Sequence, residues 1–277
     1  MTLRDAYLYG QEQLKNVQID DADTDAWYLL EFVTGINRTQ YFLRMNEEMS
    51  HELEMQYKAH IATRTTHRPL QHITGVQEFM GLEFKVNEHV LVPRQDTEVL
   101  VEEVLQMIKP GMEVLDMCTG SGCILISLLK LSKQVQGIGI DISEDALKVA
   151  QENAEKLNVQ ATFLQSDLFE NVCGKYDVIV SNPPYIRTAV IEELKEEVKF
   201  HDPYLALDGK EDGLYFYRRI VSEGKQHLLP GGWLYFEIGY DQGRDVKVLM
   251  EEAGFQNVTI KKDLAGLDRV VFGVYNV

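Results

Sequence analysis

The sequence predicts an α/β protein: a doubly wound, mostly parallel sheet of seven strands, preceded by a small domain of helices. Three observations carry this. From Met112 onward, short apolar runs alternate with segments whose apolar residues recur at helical spacing, the signature of βαβ units. The last two β-rich runs, 257–262 and 269–275, are separated only by 263–268, too short for a crossover helix, so they pair antiparallel. Before residue 75, apolar residues recur at three- and four-residue intervals, which is helical spacing.

Taken in order, residues 1–75 form the helical domain. Ala26, Leu29, Leu30 and Val33 mark one apolar helix face, and Leu53, Tyr57 and Ile61 another. Gly35 and Asn37 punctuate the first helix, and Arg68-Pro69 ends the last. Residues 76–90 read as a linker hairpin, with two short strands turning near Gly81. The second domain, 91–277, starts from Val90-Leu91-Val92-Pro93-Arg94 and a helix over 97–107 with Val99, Leu100, Val104 and Leu105 on one face. Its first five strands are expected at 113–116, 135–141, 161–165, 176–181 and 233–238. Helices are expected at 123–131, 143–157 and 244–253, the second capped by Ser143 with Glu144 and Asp145 in its first turn.

Composition narrows the function. A chain of 277 residues with 45% hydrophobic content builds a substantial core. A formal net charge of -17 argues against non-specific grip on a nucleic-acid backbone, which needs clustered lysine and arginine. No apolar stretch is long enough for a membrane span, and the first ten residues lack the apolar centre of a secretion signal, so a cytoplasmic location is expected. Cys118, Cys123 and Cys173 are odd in number and form no C-x-x-C pair. They read as reduced thiols; the seven histidines are scattered, and no metal site is expected.

The chemistry gathers at strand ends, where open α/β sheets bind ligands. The first strand ends at Asp116 and enters the small-residue turn Cys118-Thr119-Gly120-Ser121-Gly122, which lets a ligand approach the backbone at a helix start. The second ends at Asp141, followed by Ile142, about twenty residues on, where a carboxylate can accept both hydroxyls of a ribose. The third is followed by Asp167 and Leu168, a carboxylate for an exocyclic amine and an apolar face for a purine. The fourth delivers Asn182-Pro183-Pro184-Tyr185. Two prolines cannot continue a central strand, so the chain leaves the sheet there as a rigid loop rich in acceptors. The Asn182 side-chain oxygen and a neighbouring carbonyl can take both hydrogens of one NH2 group, with Tyr185 as a flat wall.

Leu125 stands where G-x-G-x-x-G would have its third glycine, which disfavours a nicotinamide-dependent oxidoreductase and favours a nucleoside ligand without phosphates, such as S-adenosylmethionine. An adenine or guanine amino-methyltransferase acting on DNA or RNA uses the same chemistry and stays open on the loop alone. A non-catalytic nucleoside-binding module gives the loop no purpose.

Over nearly its whole length the chain resembles the methyltransferases that modify the glutamine side chain of peptide chain release factors. The resemblance runs through Arg68-Pro69-Leu70-Gln71-His72-Ile73-Thr74-Gly75, Phe79-Met80-Gly81-Leu82-Glu83-Phe84, Val90 to Arg94, Asp116 to Gly122 and Asn182 to Tyr185. It continues through Asp212-Gly213-Leu214, Leu229-Pro230-Gly231-Gly232, Glu237-Ile238-Gly239 with Gln242, and Lys262-Asp263 with Asp268-Arg269. Three positions depart from it: Cys118 where glycine is usual, Gln95 where proline is, and Leu168 where an aromatic residue is common.

The resemblance implies a Rossmann-like S-adenosylmethionine-dependent methyltransferase, with S-adenosylhomocysteine as product. Its substrate would be the glutamine of the Gly-Gly-Gln loop in class I release factors, the factors of translation termination. It places Asp116, Cys118, Thr119, Gly120, Ser121, Gly122, Asp141, Ile142, Asp167, Leu168 and Asn182 around the cofactor. Thr119, Gly120 and Gly122 would line its methionine and ribose, Asp141 the ribose hydroxyls, and Asp167 with Leu168 the adenine. Asn182, Pro183, Pro184 and Tyr185 would hold the glutamine amide. The expected protein is a monomer that contacts neither nucleic acid nor membrane directly, with the helical domain available for docking substrate.

Overall fold

Helix starts in the N-terminal region are set by capping residues. Thr2 caps α1 (Leu3–Asn16) and Asn37 caps α3 (Arg38–Arg44), each through a reciprocal box with the residue three positions on. Between them α2 (Ala22–Thr34) ends on Gly35 in the left-handed conformation. Ser50 caps α4 (His51–Arg64). Arg68-Pro69, expected to end that helix, lies beyond its end: α4 stops at Arg64, and Pro69, whose fixed φ suits a helix entry, opens the one-turn α5 (Leu70–Thr74). Strands β1 (Val76–Phe79) and β2 (Leu82–Lys85) then pair as a two-stranded sheet.

A computed structural model describes residues 1–276. After a 3₁₀ turn at Gln95–Thr97 come α6 (Glu98–Met107), β3 (Glu113–Met117), α7 (Cys123–Leu131), β4 (Gln136–Asp141), α8 (Glu144–Lys156), β5 (Thr162–Gln165) and β6 (Tyr176–Ser181). The Ser143 hydroxyl accepts from the Ala146 N–H, as an N-cap should. The stretch between Tyr185 and Leu228 carries α9 (Thr188–Ile191), α10 (Glu196–His201), α11 (Tyr204–Leu207) and α12 (Tyr215–Gly224). The chain closes with β7 (Leu228–Glu237), α13 (Gly243–Glu252), β8 (Gln256–Lys262) and β9 (Asp268–Tyr275). β7 begins earlier than its apolar run, because Pro230, Gly231 and Gly232 are absorbed as an irregularity where the register slips between the Tyr176–Leu228 and Val178–Trp233 pairs.

Among the described residues the large sheet has seven strands in the order β5-β4-β3-β6-β7-β9-β8. Pairs from β5 to β7 are parallel; β9 inserts between β7 and β8 and runs antiparallel to both. Strand parity divides the core into two layers. Leu115, Ile179 and Phe236 pack with Ile220 of α12 and Val246 and Met250 of α13. Val114, Val178, Val180 and Tyr235 face the other way, onto Leu100 and Val104 of α6 and Leu125 and Leu128 of α7. Strand order reverses at β3, which pairs with β4 on one side and β6 on the other.

The chain divides into two units: Met1–Val76 together with Glu196–His201, and the rest of the described chain. In the first, Leu14, Ala26, Leu29, Leu30, Tyr57 and Ile61 form a closed core. Beside it Arg64 is buried with three partners, donating from Nε to Asp25 at 2.7 Å, from Nη1 to the Arg68 carbonyl at 2.9 Å and from Nη2 to Glu197 of α10 at 2.6 Å.

Candidate active site

The reversal of strand order at β3 leaves a crevice at the carboxyl ends of β3, β4, β5 and β6. A cavity of about 330 Å³ opens there, within the range of small-molecule sites. Its floor is the turn between β3 and α7. Cys118, Gly120 and Gly122 all have positive φ, at 61°, 54° and 78°. At Gly122 an added Cβ would come within 2.8 Å of Ile126 and 3.2 Å of Ala150, so glycine permits both the turn and the approach of α8 to α7.

Hydrogen bonds lock this turn to its neighbours. The Thr119 N–H donates to the Ile140 carbonyl at 2.9 Å, and the Thr119 hydroxyl donates to Asp116 Oδ2 at 2.6 Å. Asp141 accepts the Gly120 N–H on Oδ2 and the Ser143 N–H on Oδ1, both at 2.9 Å. Burial raises the pKa of Asp141, opposed by the N–H groups of Ser143, Gly120 and Ile142. Burial also pushes the Asp116 carboxyl up to about 7, against the Thr119 hydrogen bond. Asp116 Oδ1 and Ser121 Oγ are buried without a partner among the described residues.

Of the residues singled out in sequence, Cys118, Thr119, Gly120, Ser121, Asp141, Ile142, Asp167, Leu168, Asn182 and Pro184 line the cavity. Asp116, Gly122, Pro183 and Tyr185 do not line it. Asp116 shares its strand face with Val114, so it points under the turn toward α7 and holds Thr119 from below. Asp167 reaches the cavity already paired, accepting from Arg219 Nη1 at 2.8 Å. Leu168, like Cys118, adopts positive φ, at 48°.

The Asn182–Tyr185 loop is braced from beneath. Gln242 Nε2 donates to the carbonyls of Tyr185 at 3.0 Å and Gly213 at 3.3 Å. A Cβ on Gly213, which has φ +76°, would collide with the Tyr185 carbonyl oxygen, so only glycine fits. Burial pushes the Tyr185 hydroxyl pKa up. On the sheet side, Asn182 Nδ2 reaches Thr97 Oγ1 at 3.5 Å, and the buried Glu237 carboxyl lies beside both, near enough for the Thr97 hydroxyl and the Asn182 amide to hold its pKa down against burial.

Thr97, Arg219, Glu237 and Gln242 have no role assigned from sequence. For Glu237 the signal was present: it is an acidic residue at the end of an apolar strand run, the same feature that marks Asp116 and Asp141. Among the described residues there is no cluster of three or more His, Cys, Asp or Glu side chains able to hold a metal ion.

Comparison with known proteins fits this geometry. Residues 5–75 match the family model of the PrmC N-terminal domain, and residues 94–198 that of the methyltransferase small domain. The release factor glutamine methyltransferase of Caulobacter vibrioides is 41% identical over 281 residues, covering 100% of this chain and 97% of that protein. The one from Geobacter sulfurreducens is 38% identical over 273 residues, covering 98% and 96%. The chain belongs to the release factor glutamine methyltransferase family.

A methyltransferase from Pyrococcus furiosus, 17% identical, shares the fold with a TM-score of 0.56 over 79% of this chain and 98% of that one. For a release factor glutamine methyltransferase, the strand-end crevice and its locked turn supply what a nucleoside-linked methyl donor needs. Space is open in front of Gly120, the Ser121 hydroxyl, unpartnered among the described residues, lines the wall, and Asp141 and Leu168 lie on the same cavity.

Proposed function

We propose that this protein transfers a methyl group from S-adenosylmethionine to the side-chain amide nitrogen of the glutamine in the Gly-Gly-Gln loop of class I peptide chain release factors. The observation that carries this is the convergence, on one cavity, of residues 118–121, Asp141 and Asn182 in a chain whose full length matches release factor glutamine methyltransferases. S-adenosylmethionine, when bound, supplies an electrophilic methyl group and leaves as S-adenosylhomocysteine. Thr119 and Gly120 would hold its methionine and ribose portions with Gly122 shaping the turn behind them, Asp141 the ribose hydroxyls, and Asp167 with Leu168 the adenine.

An amide nitrogen is a poor nucleophile because its lone pair is delocalised into the carbonyl. The Asn182 side-chain oxygen and the Pro183 carbonyl accept its two hydrogens and aim it, a positioning effect worth several kcal/mol of the barrier. As the new carbon–nitrogen bond forms, positive charge grows on the nitrogen, and the same two oxygens stabilise it. Tyr185 packs against the glutamine side chain and helps exclude water. No strong base is needed, since the departing proton becomes acidic only once the bond has formed.

The helical unit docks the release factor, an assignment supported by Phe42 and Leu43, which expose 67% and 82% of their surface on it. No helix of the described residues is long and apolar enough to cross a membrane. The protein acts in the cytoplasm, as a monomer, without contacting nucleic acid directly. Mass spectrometry of a purified release factor after incubation with protein and cofactor tests this: one added methyl group on the glutamine is expected. Transfer instead to RNA or DNA controls, with none to the release factor, would overturn it.

A further inference from the structure

We infer that Glu237 is a positioning residue that sets which end of the Asn182 amide meets the substrate. The two side chains are neighbours at the carboxyl ends of adjacent parallel strands, because Ser181 of β6 is in register with Phe236 of β7. Glu237 is 2% exposed, and its Oε2 has no hydrogen-bond partner among the described residues. Its main-chain carbonyl accepts from the Tyr217 hydroxyl at 2.9 Å, which pins the strand end.

A buried carboxylate without a dedicated counter-ion is costly, and packing alone would be served better by an apolar or amide side chain. Arg269 supplies nearby charge, but its guanidinium is committed to Asp263 and Asp96, each at 3.1 Å. What a carboxylate does that an amide cannot is accept only. Facing Glu237 and the Thr97 hydroxyl oxygen, the Asn182 amide is stable with Nδ2 turned toward them, at 3.5 Å from Thr97. That leaves Oδ1 on the opposite side, as the acceptor a substrate NH2 requires. Protonated, Glu237 becomes a donor and favours the flipped amide, which presents N–H to N–H.

The groups facing Glu237 come from several elements: Thr97 and Asp96 from the 3₁₀ turn, Arg269 from β9, Asn182 and Tyr185 from the loop, Tyr217 from α12 and Cys123 from α7. Burial pushes the carboxyl up to about 7, opposed by the Thr97 hydroxyl, the Arg269 charge and the Asn182 amide, with Asp96 adding to the rise. The orientation is therefore sensitive to pH near neutrality.

This inference rests on the proposed reaction, and the test separates the two. Methyl transfer to a purified release factor is measured from about pH 5.5 to about pH 8.5. Wild-type kcat should fall on the acid side with a midpoint near 7. Glu237→Gln should lower kcat roughly 10- to 100-fold, keep KM for S-adenosylmethionine within about twofold and abolish the acid limb. Thr97→Val removes the hydroxyl that lowers the Glu237 pKa, so its limb should move to higher pH. A Glu237→Gln protein with wild-type kcat, or a slowed one that keeps the wild-type limb, overturns the inference and leaves the reaction standing. If circular dichroism shows that Glu237→Gln does not fold, an unmoved limb in Thr97→Val overturns it instead. Wild-type protein that methylates no release factor overturns both.

Discussion

Replacing Asn182 with alanine removes one preorganised acceptor from the proposed amide-binding loop and the polar side chain beside Glu237. Loss of a single preorganised contact to developing charge typically costs about 10²- to 10³-fold in kcat, or roughly 2.7–4 kcal/mol. Asn182 is one of many residues on the cavity, and the proposed ribose and adenine contacts come from Asp141, Asp167 and Leu168, so KM for S-adenosylmethionine should stay within about threefold. The variant also takes a polar neighbour from a carboxyl that is 2% exposed and has one oxygen unpaired among the described residues. An unsatisfied buried group costs about 1–3 kcal/mol, which in a chain of this size lowers Tm by roughly 2–10 °C. Radiometric transfer at saturating release factor and cofactor gives kcat, and a thermal melt gives Tm. A kcat within about threefold of wild type at a temperature where the variant is fully folded would refute the proposed role of Asn182.

Three further outcomes are expected. Asp141→Ala should weaken S-adenosylmethionine binding about 10- to 100-fold by isothermal titration calorimetry, since hydrogen bonds to a charged group are worth roughly 1.5–3 kcal/mol; unchanged affinity would put the ribose elsewhere. At Cys118, held at φ 61°, glycine should be more stable than alanine by about 1–2 kcal/mol in chemical denaturation, because both lose the thiol and only alanine keeps a left-handed penalty. Equal stabilities would mean that the backbone relaxes there. Arg64→Met should destabilise the helical unit by about 3–5 kcal/mol in thermal unfolding, because it leaves Asp25 buried with no cation. Asp25→Leu in the same chain should recover most of that loss.

Much of the architecture was legible because local rules and tertiary demands agree. The strands at 113–117 and 176–181 are largely buried and show in the sequence as short apolar runs, Val114-Leu115 and Val178-Ile179-Val180, and helix α7 follows directly from the glycine-rich turn. The region between Tyr185 and Leu228 was not legible. α9, α10 and α11 are each too short to show a helical period, and the second of them clusters with the N-terminal helices through contacts far apart in sequence. The start of β7 is masked in the sequence because Pro230 and two glycines look like a loop, yet its neighbours carry the ladder past them.

At the site, sequence alone marked the strand-end aspartates and the Asn182–Tyr185 loop, since a polar residue closing an apolar run is visible without coordinates. It could not say which of these face the cavity. Asp116 and Asp141 look alike in sequence, but strand parity and the approach of α7 put the first under the turn and the second on the wall. Nor could it show that Glu237 and Thr97 meet at Asn182, because those three residues are joined by the register of β6 against β7 and by the seating of the 3₁₀ turn. Periodicity and turn chemistry act over a few residues and are written in the chain. Side chains from distant segments share one hydrogen-bond network only after the sheet has chosen its strand order, and that choice is made by packing.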